Sequence, residues 1–350
     1  MKAVVLEEKN KLSLRDYPIS ETVGPDDVKI AIKACGICGS DVHYYTHGRI
    51  GDFIVNEPMI LGHEASGTVI ETGGRVKNLQ AGDKVCMEPG IPDFKSIETL
   101  KGMYNLDPAV RFWATPPIHG CLRETVVHPA SLTFKLPDTI SFHEGALVEP
   151  VAIGVYSAKK ARIAPGDTAL VIGAGTIGIV TALAAESAGC AKVYIADIKK
   201  GKLAFVNQHY PDKIETIDLN QTDIPSYFSQ NGIGGVDIVF EASGSAKVYE
   251  NICAYLVPGG RMVLVGMPGG PVPLDVVAMQ AKELSIETIF RYVNMYPRVI
   301  NMISSGSLNV KPLATKCYSF GDSIAAFEYA AALPEKDVKI MIDFEPTTLL

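Results

Sequence analysis

Cys38, His63 and Glu64 carry the most telling chemistry in this chain of 350 residues. A thiolate, an imidazole and a carboxylate make the donor set of an open catalytic zinc site, where three side chains leave a fourth position for water or substrate. Far downstream stands Gly173-Ala-Gly-Thr-Ile-Gly178, whose glycine spacing suits a nucleotide phosphate. A zinc Lewis acid beside a dinucleotide points to hydride exchange between an alcohol and a ketone.

The glycine loop needs a strand before it and a helix after it. An apolar run over 169–172 precedes it, and Asp197 ends the next apolar run, 24 residues after Gly173. In that setting Gly173 permits the turn, Gly175 admits the pyrophosphate, and Gly178 lets helix and strand pack closely. The phosphate would sit at the positive end of the helix dipole. Thr176 and Ile177 within the loop, and Lys202 beyond it, complete the expected cofactor-binding set. Asp197 would accept from both ribose hydroxyls of NAD but face the 2′-phosphate of NADP. At ~4 Å that repulsion is ~1 kcal/mol in bulk water and ~4 kcal/mol near a protein surface, so NAD is expected. The plainer alternative is a glycine-rich connection that binds nothing.

Two textures surround these motifs. Segments 1–6, 27–33, 65–72 and 83–88 are short and β-rich, broken by Gly-Pro-Asp and Ala-Gly-Asp turns, as in a small bent barrel with few helices. From about Asp167 the rhythm becomes strand, helix, strand. Apolar runs at 169–172, 192–196, 236–240 and 261–265 alternate with helix-length segments such as 178–187 and 199–208, the pattern of a parallel sheet covered on both faces. The fold class is therefore α/β. After residue 292 the chain returns to helix plus strand, ending at 339–344.

Composition narrows the class. With 32 Lys+Arg against 39 Asp+Glu and no long basic run, neither nucleic acid nor a membrane surface is an expected partner. Seven scattered cysteines suit a reducing cytoplasm better than a disulfide framework. The uncharged stretch 168–185 is long enough for a bilayer, but its nucleotide-turn glycines mark a buried strand and helix. Cys35-x-x-Cys38 lacks the second thiol pair of a closed zinc knuckle, so one thiol reads as a ligand and the other as a small core residue.

Gly62-His-Glu-Ala-Ser-Gly67, continued by Gly73 and Val76, resembles the zinc-alcohol-dehydrogenase signature of the medium-chain dehydrogenases; Cys38-Gly-Ser-Asp-Val-His43 resembles their first-ligand segment. Ala114-Thr-Pro-Pro117, Glu144-Gly-Ala-Leu-Val-Glu-Pro150 and Phe290-Arg-Tyr292 are similar to the polyol branch, that of sorbitol and xylitol dehydrogenases. The resemblance implies a GroES-like β-barrel catalytic domain over 1–151, a Rossmann doubly wound domain over 152–290, and a return to the catalytic domain over 291–350. It implies zinc held by Cys38, His63, Glu64 and water, with Glu149 in or beside the shell. Ser40, His43 and Glu149 would handle protons. Tyr44, Phe112, Thr115, Arg291 and Tyr292 would bind a small polyol. A homotetramer is implied as well.

Glu149 has a blander reading as a helix-cap or salt-bridge carboxylate, and Arg291 as a domain-interface ion pair. Many relatives close a structural zinc with four cysteines near 90–105, where this chain has none, so one catalytic zinc per chain is expected and no structural one. The alternatives are a zinc-dependent threonine or butanediol dehydrogenase, and, in another class, a non-catalytic NAD-binding protein.

Overall fold

Val28, Ile30, Ile32 and Ala34 alternate with less buried neighbours along the strand Asp27–Gly36, the period-two pattern of a sheet with one face in a core. That strand is the spine of the first of two units in the computed structural model, which describes residues 1–344. The first unit comprises Met1–Glu149 and Tyr296–Leu350, and the second Pro150–Met295.

In the first unit a seven-stranded sheet runs in the order Thr133–Lys135, Lys84–Met87, Glu64–Thr72, Asp27–Gly36, Lys339–Asp343, Ala314–Ser319, with Thr125–Pro129 also paired to Asp27–Gly36. A three-stranded sheet built on Lys2–Glu8 shares its core, where Val4 and Leu6 meet Ile30, Val69, Val126, Phe327 and Ile342. Register brings distant segments to one end of the sheet. Gly36 pairs with Glu64 on one side and Met341 on the other, so the start of one strand and most of the last strand converge there.

The helix Gly39–His47 is more structure than the β-rich texture of this half led one to expect. Its cause is local: Cys38 is extended at the N-cap, its N–H donates to Asp41 Oδ2 at 3.2 Å, and Gly48 ends the helix at φ 74°.

The second unit is a six-stranded parallel sheet. Numbered within the unit, its strands Thr168–Ile172, Lys192–Asp197, Ile214–Asp218, Val236–Glu241, Leu256–Leu264 and Ser285–Thr288 lie in the order 3-2-1-4-5-6. That order reverses beside Thr168–Ile172, where a doubly wound sheet opens a crevice for a dinucleotide. The fifth strand starts earlier than its apolar run, because a register shift between Val236 and Ile238 accommodates the Pro258-Gly-Gly260 segment. The 168–185 stretch divides into the first strand and the helix Thr176–Ser187, and no described helix is long and apolar enough to cross a membrane.

Candidate metal centre and phosphate loop

Cys38, His63 and Glu64 converge, one ligand atom from each lying within 4.8 Å of the others. Cys38 follows the spine strand and caps the helix Gly39–His47, which puts its sulfur at the helix's positive end. His63 and Glu64 enter the strand Glu64–Thr72. Gly36 is required opposite them: a Cβ there would stand 2.1 Å from Glu64 Oε2 and displace the carboxylate.

Asp41 organises the group. Its Oδ1 accepts from Gly62 N–H at 2.9 Å, and its Oδ2 lies 3.5 Å from His63 Nδ1. At that distance the pair is an electrostatic contact rather than a hydrogen bond, and it places a carboxylate beside the ring of a candidate ligand. Burial alone would pull His63 down, yet Asp41 and Cys38 hold it well above its usual value. The same anionic field favours a metal cation. The donor set of sulfur, ring nitrogen and carboxylate, buried except on the Cys38 side, fits zinc with one open position.

Lys339 was not foreseen. Its Nζ donates to both oxygens of Glu64 at 2.7 Å and to Ile37 O at 3.2 Å, and it is only 4% exposed. Burial works against its charge, but Glu64, Cys38 and Glu149 raise its pKa above the ordinary lysine value. The only hint in the sequence was a lysine opening an apolar run. Glu88 is a second unforeseen acid: buried, accepting from Tyr104 Oη at 2.6 Å, and pushed up to about 7 by burial, with Glu149 adding to the shift. Glu149 is buried and acts electrostatically on both Lys339 and Glu88, but stands outside the three clustered ligands.

Phe112 walls the cluster, its ring centroid 5.6 Å from that of His63. Ser40 and His43 are one turn apart on the helix, Ser40 half-buried and His43 exposed and stacked on His47 at 4.2 Å. Tyr44 on that helix is buried, and Thr115 is half-buried. Cys35 lies in the core, its sulfur 3.7 Å from Cys121 Sγ.

In the second unit Gly173 takes φ +106°, and a Cβ on Gly178 would stand 1.7 Å from Gly173 O. At Gly175, the N-cap of the helix Thr176–Ser187, an added Cβ would meet nothing within 4 Å. Open space at an N-terminus without a side-chain cap is what a pyrophosphate needs. Thr176 and Ile177 begin that helix, and Lys202 is buried in the helix Lys200–His209. Asp197 braces the loop, accepting from Ala174 N–H at 2.5 Å and Lys199 N–H at 2.7 Å. Further along the chain, Arg291 takes φ +55° and lies over the Phe290 ring at 4.8 Å, while Tyr292 is buried.

Residues 24–138 match the family described as alcohol dehydrogenase GroES-like domain, and 176–305 the one described as zinc-binding dehydrogenase. A D-xylulose reductase of Morganella morganii is 55% identical, over 95% of this chain and 98% of its own length. A sorbitol dehydrogenase of Rattus norvegicus is 38% identical, over 98% and 96%. Among solved structures, an Escherichia coli oxidoreductase of unknown specificity superposes with a TM-score of 0.92 at 34% identity, covering 99% of both chains.

Proposed function

The chain belongs to the zinc-dependent medium-chain dehydrogenases of the polyol branch, and on that premise we propose that it oxidises a secondary hydroxyl of a xylitol-type sugar alcohol to the ketose with NAD. It is an oxidoreductase acting on CH–OH, a polyol dehydrogenase of the xylitol and sorbitol type. The observation that carries the reading is the clustering of Cys38, His63 and Glu64. Of these two relatives, the D-xylulose reductase is nearer in sequence than the sorbitol dehydrogenase, which favours the five-carbon polyol.

A zinc ion held by Cys38, His63, Glu64 and water would supply Lewis acidity, the effect that brings bound water from ~15.7 down to ~7. Two anionic ligands would blunt that acidity. Lys339, paired with both Glu64 oxygens, offsets one of them. Asp41 sets a carboxylate beside the His63 ring.

The hydroxyl proton must reach solvent. Ser40 and His43, one turn apart and progressively exposed, form the route we favour. Desolvation, with the neighbouring His47 adding to it, lowers His43, which favours the neutral ring that can accept a proton. Glu149, beside Lys339 and Glu88, is the alternative base. His43→Ala is expected to slow turnover about tenfold or more at neutral pH; unchanged turnover would discard the relay.

By the family resemblance, Phe112 would be an apolar wall, and Tyr44, Thr115, Arg291 and Tyr292 would be the polar contacts for a polyol. Arg291→Ala should raise KM for the polyol far more than for NAD. NAD would accept the hydride when bound; the Gly175 opening would hold its pyrophosphate and Asp197 its ribose. We propose one zinc per chain, none between 90 and 105, and a homotetramer in the cytoplasm, testable by metal analysis after dialysis and by light scattering. The deciding experiment follows NADH absorbance with xylitol, sorbitol, arabinitol, threonine and 2,3-butanediol. Xylitol should give the highest kcat/KM; a preference for threonine or butanediol would overturn the substrate class.

A further inference from the structure

A second set of metal-ligating side chains lies in the first unit and takes no part in the chemistry above. His143 is the second residue of the helix Phe142–Lys160, Cys317 lies in the strand Ala314–Ser319, and Asp343 ends the strand Lys339–Asp343. The two strands run in parallel, Ser319 paired with Asp343 and Cys317 with Met341, which brings a sulfur and a carboxylate near each other on adjacent strands. The helix start delivers the imidazole. One ligand atom from each residue lies within 4.8 Å of the other two. His143 Nε2 and Asp343 Oδ1 are 2.6 Å apart, and Cys317 is exposed.

We propose that His143, Cys317 and Asp343 form a solvent-accessible transition-metal site, separate from the Cys38 cluster, that takes Zn²⁺ or Co²⁺ from solution with water completing the shell. The donors are one thiol sulfur, one imidazole nitrogen and one carboxylate oxygen. Soft and borderline donors of this kind select zinc-like ions over magnesium or calcium, which prefer oxygen alone. Metal–ligand bonds of about 2.0–2.3 Å in a tetrahedron put ligand atoms roughly 3.3–3.7 Å apart. The His143–Asp343 pair must therefore open by about 1 Å, within reach of side-chain rotation. Binding displaces the Cys317 thiol proton, and any proton shared between His143 and Asp343, to solvent. A histidine–carboxylate pair needs no sulfur beside it, and the presence of Cys317 distinguishes this group from an ordinary ion pair. Because the site is exposed, it fills from added metal and empties on dialysis.

Titration of the zinc-loaded enzyme with Co²⁺ in chelator-free buffer tests the proposal, with zinc measured in the same samples to detect exchange. The wild type should bind one further equivalent per chain, release protons, develop a thiolate-to-cobalt absorption band, and melt at a higher temperature. Cys317→Ser should lose the band and that equivalent; His143→Ala should weaken Co²⁺ binding at least tenfold. Both variants should retain their dialysis-resistant zinc and their polyol turnover. Absence of a further equivalent in the wild type, or survival of the band in Cys317→Ser with zinc retained, would overturn the proposal.

Discussion

The proposed phosphate loop and metal cluster would do comparable work, each offering a charged ligand prearranged partners, but they are built in opposite ways. The loop is local: Gly173, Gly175 and Gly178 lie within one turn, and its brace, Asp197, ends the adjacent strand. The metal cluster draws on residues far apart, and the charge that balances Glu64 comes from Lys339, 275 positions away. A local site can be read from spacing. A dispersed one shows its ligands and hides what neutralises them.

The sharpest separation of the two regions is removal of metal. Chelation, or His63→Ala, should abolish polyol oxidation while NADH binding, followed by fluorescence, persists. Full turnover after exhaustive chelation would break the division of labour.

Within the metal region, Lys339→Met leaves the Glu64 carboxylate buried without its ion-pair partner, a loss of about 3–5 kcal/mol in stability. Zinc affinity should fall about 10–100-fold, as for other outer partners of metal ligands. Lys339→Arg should recover part of both. Urea midpoints and retained zinc matching the wild type would remove Lys339 from the account.

Glu88 gives that region a pH signature. Its carboxyl, at 4.5 when unperturbed, is pushed up to about 7 by burial, with Glu149 contributing and Tyr104 opposing. The folded state thus binds the proton more tightly than the unfolded chain. The stabilisation is whole below about 4.5 and is lost as pH rises through about 7, a change of about 3 kcal/mol. In metal-free protein, Glu88→Gln should lack this decline, so its advantage over the wild type grows across that window. Parallel urea-stability profiles would contradict it.

The smallest effect belongs to the loop. Asp197→Ser removes a repulsion of ~1–4 kcal/mol toward a 2′-phosphate, so the kcat/KM ratio for NADP over NAD should rise. Because Asp197 also holds Ala174 and Lys199 N–H, NAD binding should weaken at the same time. Equal use of both cofactors by the wild type would refute the assignment to Asp197.

Much of the second unit was legible because a parallel sheet buried on both faces shows as continuous apolar runs, and Gly173 and Gly178 face demands that only glycine meets. In the first unit the helix Gly39–His47 was missed, since its nucleation depends on a Cys38–Asp41 cap embedded in β-rich surroundings. Glu88 gave no signal, because a carboxylate after an apolar strand looks solvated until Tyr104 and Glu149 are found against it. Cys317 read as one more scattered thiol until strand register set it beside Asp343 and His143.

What the amino-acid order alone determined was chemical identity: a zinc-type donor set, a glycine-spaced turn between strand and helix, and an acid ending the next strand. These depend on side-chain type and on contacts among near neighbours along the chain. The tertiary structure decided the electrostatics, placing Lys339 on Glu64, Asp41 behind His63, and Glu88 near Glu149. Coulomb interactions act through space, and only the closed fold sets which charges share a low-dielectric interior.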